Sequence, residues 1–239
     1  MWPRCFCSPT TKWFKFRDNY PLADVPDVLD KLMTFSELTP KASLSELDVL
    51  VVDFETTGFD PAHDRILSMG WVVIERGIIR LNSARHILIK DAGDTFSEAV
   101  KVHQLLPEIL DKRGISLSSA FNQLIGAMAG KLILAHGTVM EERFFNQYIE
   151  QNYRLSPLPV PWLDTMQIEM ARNRILKRAA NDKDWRLGPT RSRYGLPQYT
   201  AHNALIDAIA TAELYLAQMK VLFGNDHYNF EMLYDLSNK

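Results

Sequence analysis

The sequence predicts an α/β domain in which a mixed β-sheet is flanked by helices. An unbroken aliphatic run at residues 49–52 suits a strand that is buried on both faces at the centre of a sheet. Strand-like segments follow at 65–74, 78–81 and 85–89 with short turns between them, which indicates an antiparallel meander. Beyond residue 95, helical and strand patterns alternate, and this alternation is typical of a sheet covered by helices.

The second half of the chain contains most of the predicted helices and two further strands. A capping box at residues 95–98 predicts the start of a short helix. Further helices are predicted at 117–129, 139–152, 164–178 and 202–222, and short buried strands at 132–135 and 162–163. This order is compatible with the ribonuclease-H-like fold, but the pattern alone also fits other α/β folds.

The composition predicts one sizeable core with room for a small appendage, since 46% of the 239 residues are hydrophobic. With a net charge of −2, any nucleic acid would have to bind a local basic patch. The two cysteines, Cys5 and Cys7, are poorly placed to bridge each other, which fits a reducing cytoplasm. We find no apolar run of membrane-spanning length and no signal peptide, so we expect a cytoplasmic protein without a membrane partner.

We predict three regions along the chain. Residues 1–45 form an N-terminal extension with a short helix and a linker, residues 46–225 form the main domain, and residues 226–239 form a C-terminal tail. The extension is rich in aromatic residues, with Lys and Arg interleaved. We favour the interpretation that it packs these aromatics on the main domain. The alternative is an arm that binds a protein partner or nucleic acid through stacking and charge.

Two carboxylates stand at the end of the first predicted strand. Asp53 and Glu55 are two residues apart, so their side chains project from the same face of that strand. Carboxylates held this close repel each other, and one pKa rises unless a cation lies between them. Hard oxygen ligands of this kind suit Mg²⁺ or Mn²⁺. The alternative is a strand that runs into an ordinary acidic turn.

Other polar residues stand where predicted helices begin. Glu141 lies in the first turn of its helix, where the helix dipole favours a carboxylate, but an ordinary surface glutamate is the simpler interpretation. His202 and Asp207 are five residues apart and cannot share one helical face, because each residue turns the helix by ~100°. They can converge only if His202 lies in the entry loop or in a distorted first turn. Otherwise His202 is a capping or packed residue.

Three segments together resemble the motifs of the DEDDh family of 3′→5′ exonucleases, the DnaQ-like family of polymerase proofreading subunits. The first is DFETTG at 53–58, the second is AHGTVMEERFF at 135–145, and the third is HNALIDA at 202–208. Val102-His103 also resembles a short signature between the first two motifs. The resemblance covers residues 48–222 and implies the ribonuclease-H-like fold.

The resemblance also implies roles for the matching residues. It implies four metal ligands, namely Asp53, Glu55, Glu141 and Asp207, for two divalent cations, Mg²⁺ or Mn²⁺. It further implies that His202 is the general base and that Thr56, Thr57 and Met140 border the terminal nucleotide. The family usually has aspartate where this chain has Glu141. The neighbouring Glu142 is the alternative ligand, although its direction on the helix is less favourable.

Basic charge gathers just before the third motif. Residues 172–193 hold eight Lys or Arg against two Asp. We expect phosphate contacts from this segment, with Lys183, Arg186, Arg191 and Arg193 as the candidates. The alternative is a solvated helix face followed by a loop.

The sequence therefore predicts a metal-dependent 3′→5′ exonuclease that releases nucleoside monophosphates from nucleic acid with a free 3′ end. Single-stranded DNA ends are the favoured substrate, in repair or proofreading, and we prefer a standalone enzyme. The alternatives are an exoribonuclease that trims RNA, and a catalytically weak nucleic-acid-binding or scaffold protein on the same fold. A protein partner could bind through the N-terminal extension.

Overall fold

The computed structural model describes residues 8–21, 25–33, 38–90, 107–155, 157–177, 184–200, 202–224 and 228–238. The helices are α1 (Pro9–Asp18), α2 (Asp27–Met33), α3 (Pro107–Arg113), α4 (Leu117–Met128), α5 (Val139–Tyr153), α6 (Thr165–Ile175), α7 (Leu187–Arg193), α8 (Ala204–Phe223) and α9 (Phe230–Ser237). The strands are β1 (Val49–Thr56), β2 (Ile66–Glu75), β3 (Ile78–Leu88), β4 (Leu132–Ala135) and β5 (Trp162–Asp164). The predicted capping box at 95–98 and the Val102-His103 signature lie outside the described residues.

Strand β1 lies at the centre of a five-stranded sheet with the order β3-β2-β1-β4-β5. It pairs antiparallel with β2 and parallel with β4, and β4 pairs parallel with β5. Its aliphatic run is at most 2% exposed, because the sheet continues on both sides and helices cover both faces. The mixed sheet flanked by helices confirms the predicted fold class.

The meander contains one strand fewer than the sequence pattern predicts. The segments expected at 78–81 and 85–89 belong to the single strand β3. The register between β2 and β3 shifts between Trp71 and Val73, where the Val73 N–H donates to Ser83 Oγ at 2.9 Å. Such a bulge lets a strand continue although its side-chain alternation is interrupted.

Helices cover both faces of the sheet. The β1 side chains of Leu50, Val52 and Phe54 pack with α4 and α5, whereas those of Val49 and Val51 pack with α8 and α9. The start of α8 comes very close to β2, because a Cβ added at Gly70 would lie 2.1 Å from the Ala204 carbonyl carbon. Gly70 is the β2 partner of Asp53, so its missing side chain brings the first turn of α8 next to that carboxylate.

The two ends of the chain pack on each other. Trp13 of α1 contacts Phe230 of α9 with ring centroids 5.6 Å apart, and the Thr10 N–H and hydroxyl both donate to the Asp235 carboxylate. The predicted C-terminal tail is therefore a helix whose Phe230 and Leu233 are fully buried. This packing supports the interpretation that the N-terminal extension covers the main domain. Among the described residues, no helix combines the length and apolarity needed to cross a membrane.

Candidate active site

Three carboxylates meet where β1 ends and α8 begins. One carboxylate oxygen from each of Asp53, Glu55 and Asp207 lies within 4.8 Å of the other two. Asp53 and Glu55 share one face of β1, as their spacing predicts, and Asp207 lies in the first turn of α8. Glu55 is buried, while Asp53 and Asp207 are half-buried. The fold therefore concentrates three negative charges at one edge of its core.

Glu141 lies beside Asp53, outside this group of three. Its side chain is 2% exposed, and its carboxylate accepts hydrogen bonds from the backbone N–H groups of Phe54 and of Glu141 itself. Strand β4 pairs with β1 only as far as Val51, so Glu141 occupies the edge of β1 beyond that point. Glu141 Oε2 is buried and has no hydrogen-bond partner among the residues that the structure describes. An unpaired carboxylate oxygen of this kind would be a suitable ligand atom for a cation.

Burial and mutual repulsion raise the pKa values of these carboxyls. The pKa of Glu141 rises from an ordinary 4.5 to about 8, chiefly because of burial and also because of Asp164 and Glu55. Burial also raises the pKa of Asp53, and the charges of Glu141, Glu55 and Asp207 add to that rise. The pKa of Asp207 is raised in the same way, again mainly by burial. With a pKa of about 8, Glu141 holds a proton at neutral pH in the metal-free site, and a bound cation would displace it.

We expect the metal-free protein to lose stability as the pH rises from about 4.5 to about 8. The folded-state pKa of Glu141 lies above its unfolded-state value, so its contribution is complete at low pH and is lost across that window. Thermal unfolding in EDTA should show a falling midpoint in wild type and a flatter profile in Glu141→Gln. Comparing the two proteins isolates Glu141 from His136, whose lowered pKa acts in the opposite direction. Parallel profiles would contradict this assignment.

Glu142, the alternative ligand, is not among the charges that raise the pKa of Asp53. Its charge instead adds to the raised pKa of Tyr234 on α9. It also lies about 100° around the helix from Glu141. The structure therefore favours Glu141 as the fourth acidic residue.

His202 lies in the entry loop of α8, which begins two residues later at Ala204. Its backbone has a φ of 73°, and its N–H donates to Asp207 Oδ2 at 2.8 Å. This departure from helical geometry brings His202 and Asp207 together, as their five-residue spacing requires. Asn203 caps the helix, because its side-chain oxygen accepts from the Ile206 N–H at 3.2 Å.

Asp164 supports the turn that leads to Glu141. Its carboxylate accepts from the N–H groups of Gly137 at 2.8 Å and Thr138 at 3.2 Å, and it caps α6 by accepting from Met166 N–H at 2.8 Å. The Asp164 N–H in turn donates to Ser237 Oγ on α9 at 2.6 Å. The sequence predicted Asp164 only as a helix cap, since its second role depends on contacts between distant segments.

His136 links distant segments of the chain through contacts at both of its ring nitrogens. Its Nε2–H donates to the Trp185 carbonyl at 2.8 Å, and its Nδ1 lies 2.8 Å from the Thr165 hydroxyl. Burial lowers the pKa of His136, which favours the neutral ring with its proton on Nε2. The two contacts tie Trp185, two residues before α7, and Thr165, the first residue of α6, to the end of β4.

A cleft of about 710 Å³ opens at the carboxylates. It is bordered by Asp53, Asp207, His202, Met140, Met166, Trp185, Arg186, Leu187, Gln198 and Tyr199, among others. Met140 borders this cleft, and its contact with a nucleotide stays a prediction. The Thr56 hydroxyl donates to the Gly58 carbonyl at 2.7 Å, and the Thr57 hydroxyl to Asp64 at 2.9 Å. Because both hydroxyls serve the turn after β1, their contact with a nucleotide stays a prediction.

Most described charges of the basic segment are paired within the protein. Arg191 is 2% exposed and donates to the carbonyls of Pro197 and Ala210 and to the Glu213 carboxylate. The expected phosphate contact at Arg191 does not fit this placement, because its guanidinium is buried and already bonded. Arg193 donates to the carbonyl of residue 184 and to the hydroxyl of residue 190. Lys183 lies outside the described residues, and Arg186 is exposed at the cleft, paired with residue 184.

Replacing Arg191 should therefore destabilise the fold. We expect Arg191→Ser to lower the free energy of unfolding by about 3 kcal/mol, since it leaves buried acceptors and a carboxylate unpaired. The matched control is the exposed Arg186, where Arg186→Ser should change stability by less than about 0.5 kcal/mol. Urea unfolding of both variants measures the difference. A weaker salt dependence of DNA binding in Arg191→Ser, with unchanged stability, would restore the phosphate-contact interpretation.

The fold and the carboxylate site define a nuclease of the exonuclease class. The RNase_T exonuclease family model matches residues 50–215, and the chain belongs to this family. The PolC-type DNA polymerase III of Thermotoga petrophila is 26% identical over 203 residues, which are 85% of this chain and 14% of that protein. The DNA polymerase III subunit epsilon of Aquifex aeolicus is 24% identical over 198 residues, which are 77% of this chain and 88% of that protein. The resemblance to DnaQ-like exonucleases is confirmed.

The solved structures support the same fold. E. coli exonuclease I in complex with a dA16 oligonucleotide superposes with a TM-score of 0.62 at 18% identity, over 79% of this chain and 42% of that one. At this identity the likeness shows the ribonuclease-H-like fold alone. The chain spans 14% of the PolC-type relative, so the activity of that whole protein does not transfer to it directly.

Proposed function

We propose that this protein is a divalent-metal-dependent 3′→5′ exonuclease that releases nucleoside monophosphates, with single-stranded DNA ends as the preferred substrate. The observation that carries the proposal is the group of Asp53, Glu55 and Asp207 with buried Glu141 beside it. Four carboxylates gathered at one edge of a core repel one another, and the raised pKa of Asp53 records that repulsion together with burial. Because the chain belongs to an exonuclease family, we infer that this carboxylate cluster is catalytic.

The residues present fit Mg²⁺ or Mn²⁺. All four side chains offer carboxylate oxygens, the hard ligands that these ions prefer. Glu141 Oε2, which has no hydrogen-bond partner among the described residues, is the clearest candidate for a ligand atom. Asp53 is the central member, because the charges of the other three all act on it. These four residues would hold two such cations, and Asp53 would contribute to holding both.

The chain supplies a base and a support for that base. Bound cations would lower the pKa of a water molecule and offset the charge that develops on the leaving 3′ oxygen. His202 would accept a proton from the attacking water, since it borders the cleft with Asp53 and Asp207. Its backbone N–H bond to Asp207 keeps the loop against the carboxylates. A positioned base of this kind contributes a factor of roughly 10²–10⁴ to the rate.

The preference for DNA rests on the relatives. Two of them are DNA polymerase III proteins, and exonuclease I is bound to a deoxyadenosine oligonucleotide. Repair or proofreading follows as the proposed setting, and a protein partner at the N-terminal extension stays part of this proposal. Met140 and Arg186 border the cleft, and we assign them to the terminal nucleotide and to a phosphate.

Digestion of 5′-labelled single-stranded DNA and RNA with Mg²⁺ or Mn²⁺ tests the proposal. We expect a ladder that shortens from the 3′ end, faster on DNA than on RNA, and abolished by EDTA. A ladder on RNA alone would identify an exoribonuclease. Binding without cleavage of either polymer would identify a binding or scaffold protein on this fold.

A further inference from the structure

Tyr199 is an exposed aromatic residue on the wall of the cleft. It lies in the loop between α7 and α8, three residues before His202. Its side chain is 42% exposed. The cleft that it borders is also bordered by Asp53 and Asp207, where the proposed chemistry would occur. An exposed ring in a catalytic cleft is a candidate for contact with substrate.

The protein holds this ring in one position. The Tyr199 hydroxyl donates to Glu213 Oε1 at 2.8 Å. The Arg191 guanidinium carbon lies 4.8 Å from the ring centroid and covers one face of the ring. Arg191 is itself fixed, because it donates to Glu213 Oε2 at 2.7 Å and to the Pro197 carbonyl at 2.8 Å. Buried Arg191 and partly exposed Glu213 therefore support Tyr199 behind its ring and at its hydroxyl, respectively.

The ring has one face that Arg191 does not cover. Tyr199 is 42% exposed although the Arg191 guanidinium lies over the other face. A supported ring loses little side-chain freedom when it binds a flat ligand, which favours binding. The hydroxyl is already used as a donor, which leaves the ring surface as the group that a ligand would contact.

We infer that Tyr199 is a stacking platform for a nucleobase of the substrate, with Arg191 and Glu213 as the residues that position it. The inference rests on the proposed exonuclease function. Stacking on an aromatic ring tolerates any base sequence, because every base has a π-face. Losing one such contact lowers affinity by about tenfold or more. The apolar side chains of Met166 and Leu187 at the same cleft suit a base better than a phosphate.

Fluorescence of bound DNA tests the contact directly. Single-stranded DNA carries 2-aminopurine, a fluorescent adenine analogue that is quenched by stacking, at each of the last three positions in turn. It is bound in Ca²⁺, with a gel to show that it stays intact. At one position we expect emission about threefold higher with Tyr199→Leu than with wild type. Tyr199→Phe should quench like wild type. Phe16→Leu is the matched control, since Phe16 is similarly exposed on α1, and it should change nothing.

Kinetics with an abasic nucleotide at the position so identified complete the test. We expect Tyr199→Leu to raise KM about tenfold on intact DNA and to change it little on the abasic substrate, because both changes remove the same contact. Equal effects of Tyr199→Leu on both substrates, or unchanged emission at all three positions, would overturn the inference while wild-type cleavage leaves the proposed function intact. Failure of wild type to bind DNA at all would overturn both.

Discussion

Replacing Asp53 by asparagine should lower the turnover of single-stranded DNA by at least about 10³-fold. Asp53 is the carboxylate on which Glu141, Glu55 and Asp207 all act, so its loss removes the ligand that we assign to both cations. A factor of 10³ corresponds to about 4 kcal/mol of lost transition-state stabilisation, a usual cost of removing one electrostatic group from a pre-organised site. Single-turnover digestion of labelled DNA at saturating Mg²⁺ measures the effect.

The same variant should remain folded. The amide has the shape of the carboxyl group, and it removes one charge from a crowded, partly buried site, so the unfolding midpoint in EDTA at about pH 8 should not fall. Asp111→Asn is the control, because Asp111 is exposed and pairs only with Lys90 among the described ion pairs. It should have wild-type activity. If Asp53→Asn keeps more than a tenth of wild-type turnover, Asp53 does not have the central role assigned to it.

Replacing His202 should lower the rate by roughly 10²–10⁴-fold, the usual contribution of a positioned general base. Asparagine is the suitable substitute, because the backbone here has a φ of 73° and asparagine tolerates that conformation better than alanine. Rates at saturating Mn²⁺ should fall while Mn²⁺ affinity, measured by calorimetry, stays unchanged. Added imidazole should restore part of the lost rate, since it can accept the proton in place of the side chain.

Measuring Mn²⁺ affinity distinguishes a general base from the two alternatives for His202, which are a metal ligand and a structural residue. If Mn²⁺ affinity falls and the rate per bound ion is unchanged, His202 is a ligand. If the unfolding midpoint falls with the rate, and imidazole restores nothing, His202 is a structural residue of the α8 entry loop.

The sequence predicted the central strand and the carboxylates well, because local patterns determine both. The aliphatic run of β1 is buried on both faces, and the two-residue spacing places Asp53 and Glu55 on one side. The helix was predicted to begin at 202, and helix geometry allowed His202 and Asp207 to meet only if His202 lay in the entry loop or in a distorted first turn. His202 lies in the entry loop, and α8 begins at Ala204. Gly70 permits the close approach of α8 to β2, which only the structure identifies.

Features that depend on distant contacts could not be predicted from local patterns. The basic segment suggested free positive charge, yet Arg191 is buried because Glu213, 22 residues later, turns back towards it. The C-terminal residues were predicted to form a tail. They form helix α9, against which Thr10 and Trp13 from the other end of the chain pack. The sequence pattern predicted two strands where the structure has the single strand β3, because a bulge interrupts the side-chain alternation. For Arg191 and for α9, the partner that determines the structure lies far away in the sequence.

The central claim is that Asp53, Glu55, Asp207 and Glu141 together hold divalent cations. A crystal structure of the protein soaked with Mn²⁺ and a nucleoside monophosphate, with anomalous scattering recorded at the manganese edge, tests this claim most directly. The account predicts two anomalous peaks at Asp53, one of them in contact with Glu141 Oε2, and the phosphate of the nucleotide between them. A map with no peak at Asp53, or with Mn²⁺ bound only at other acidic residues, would contradict it.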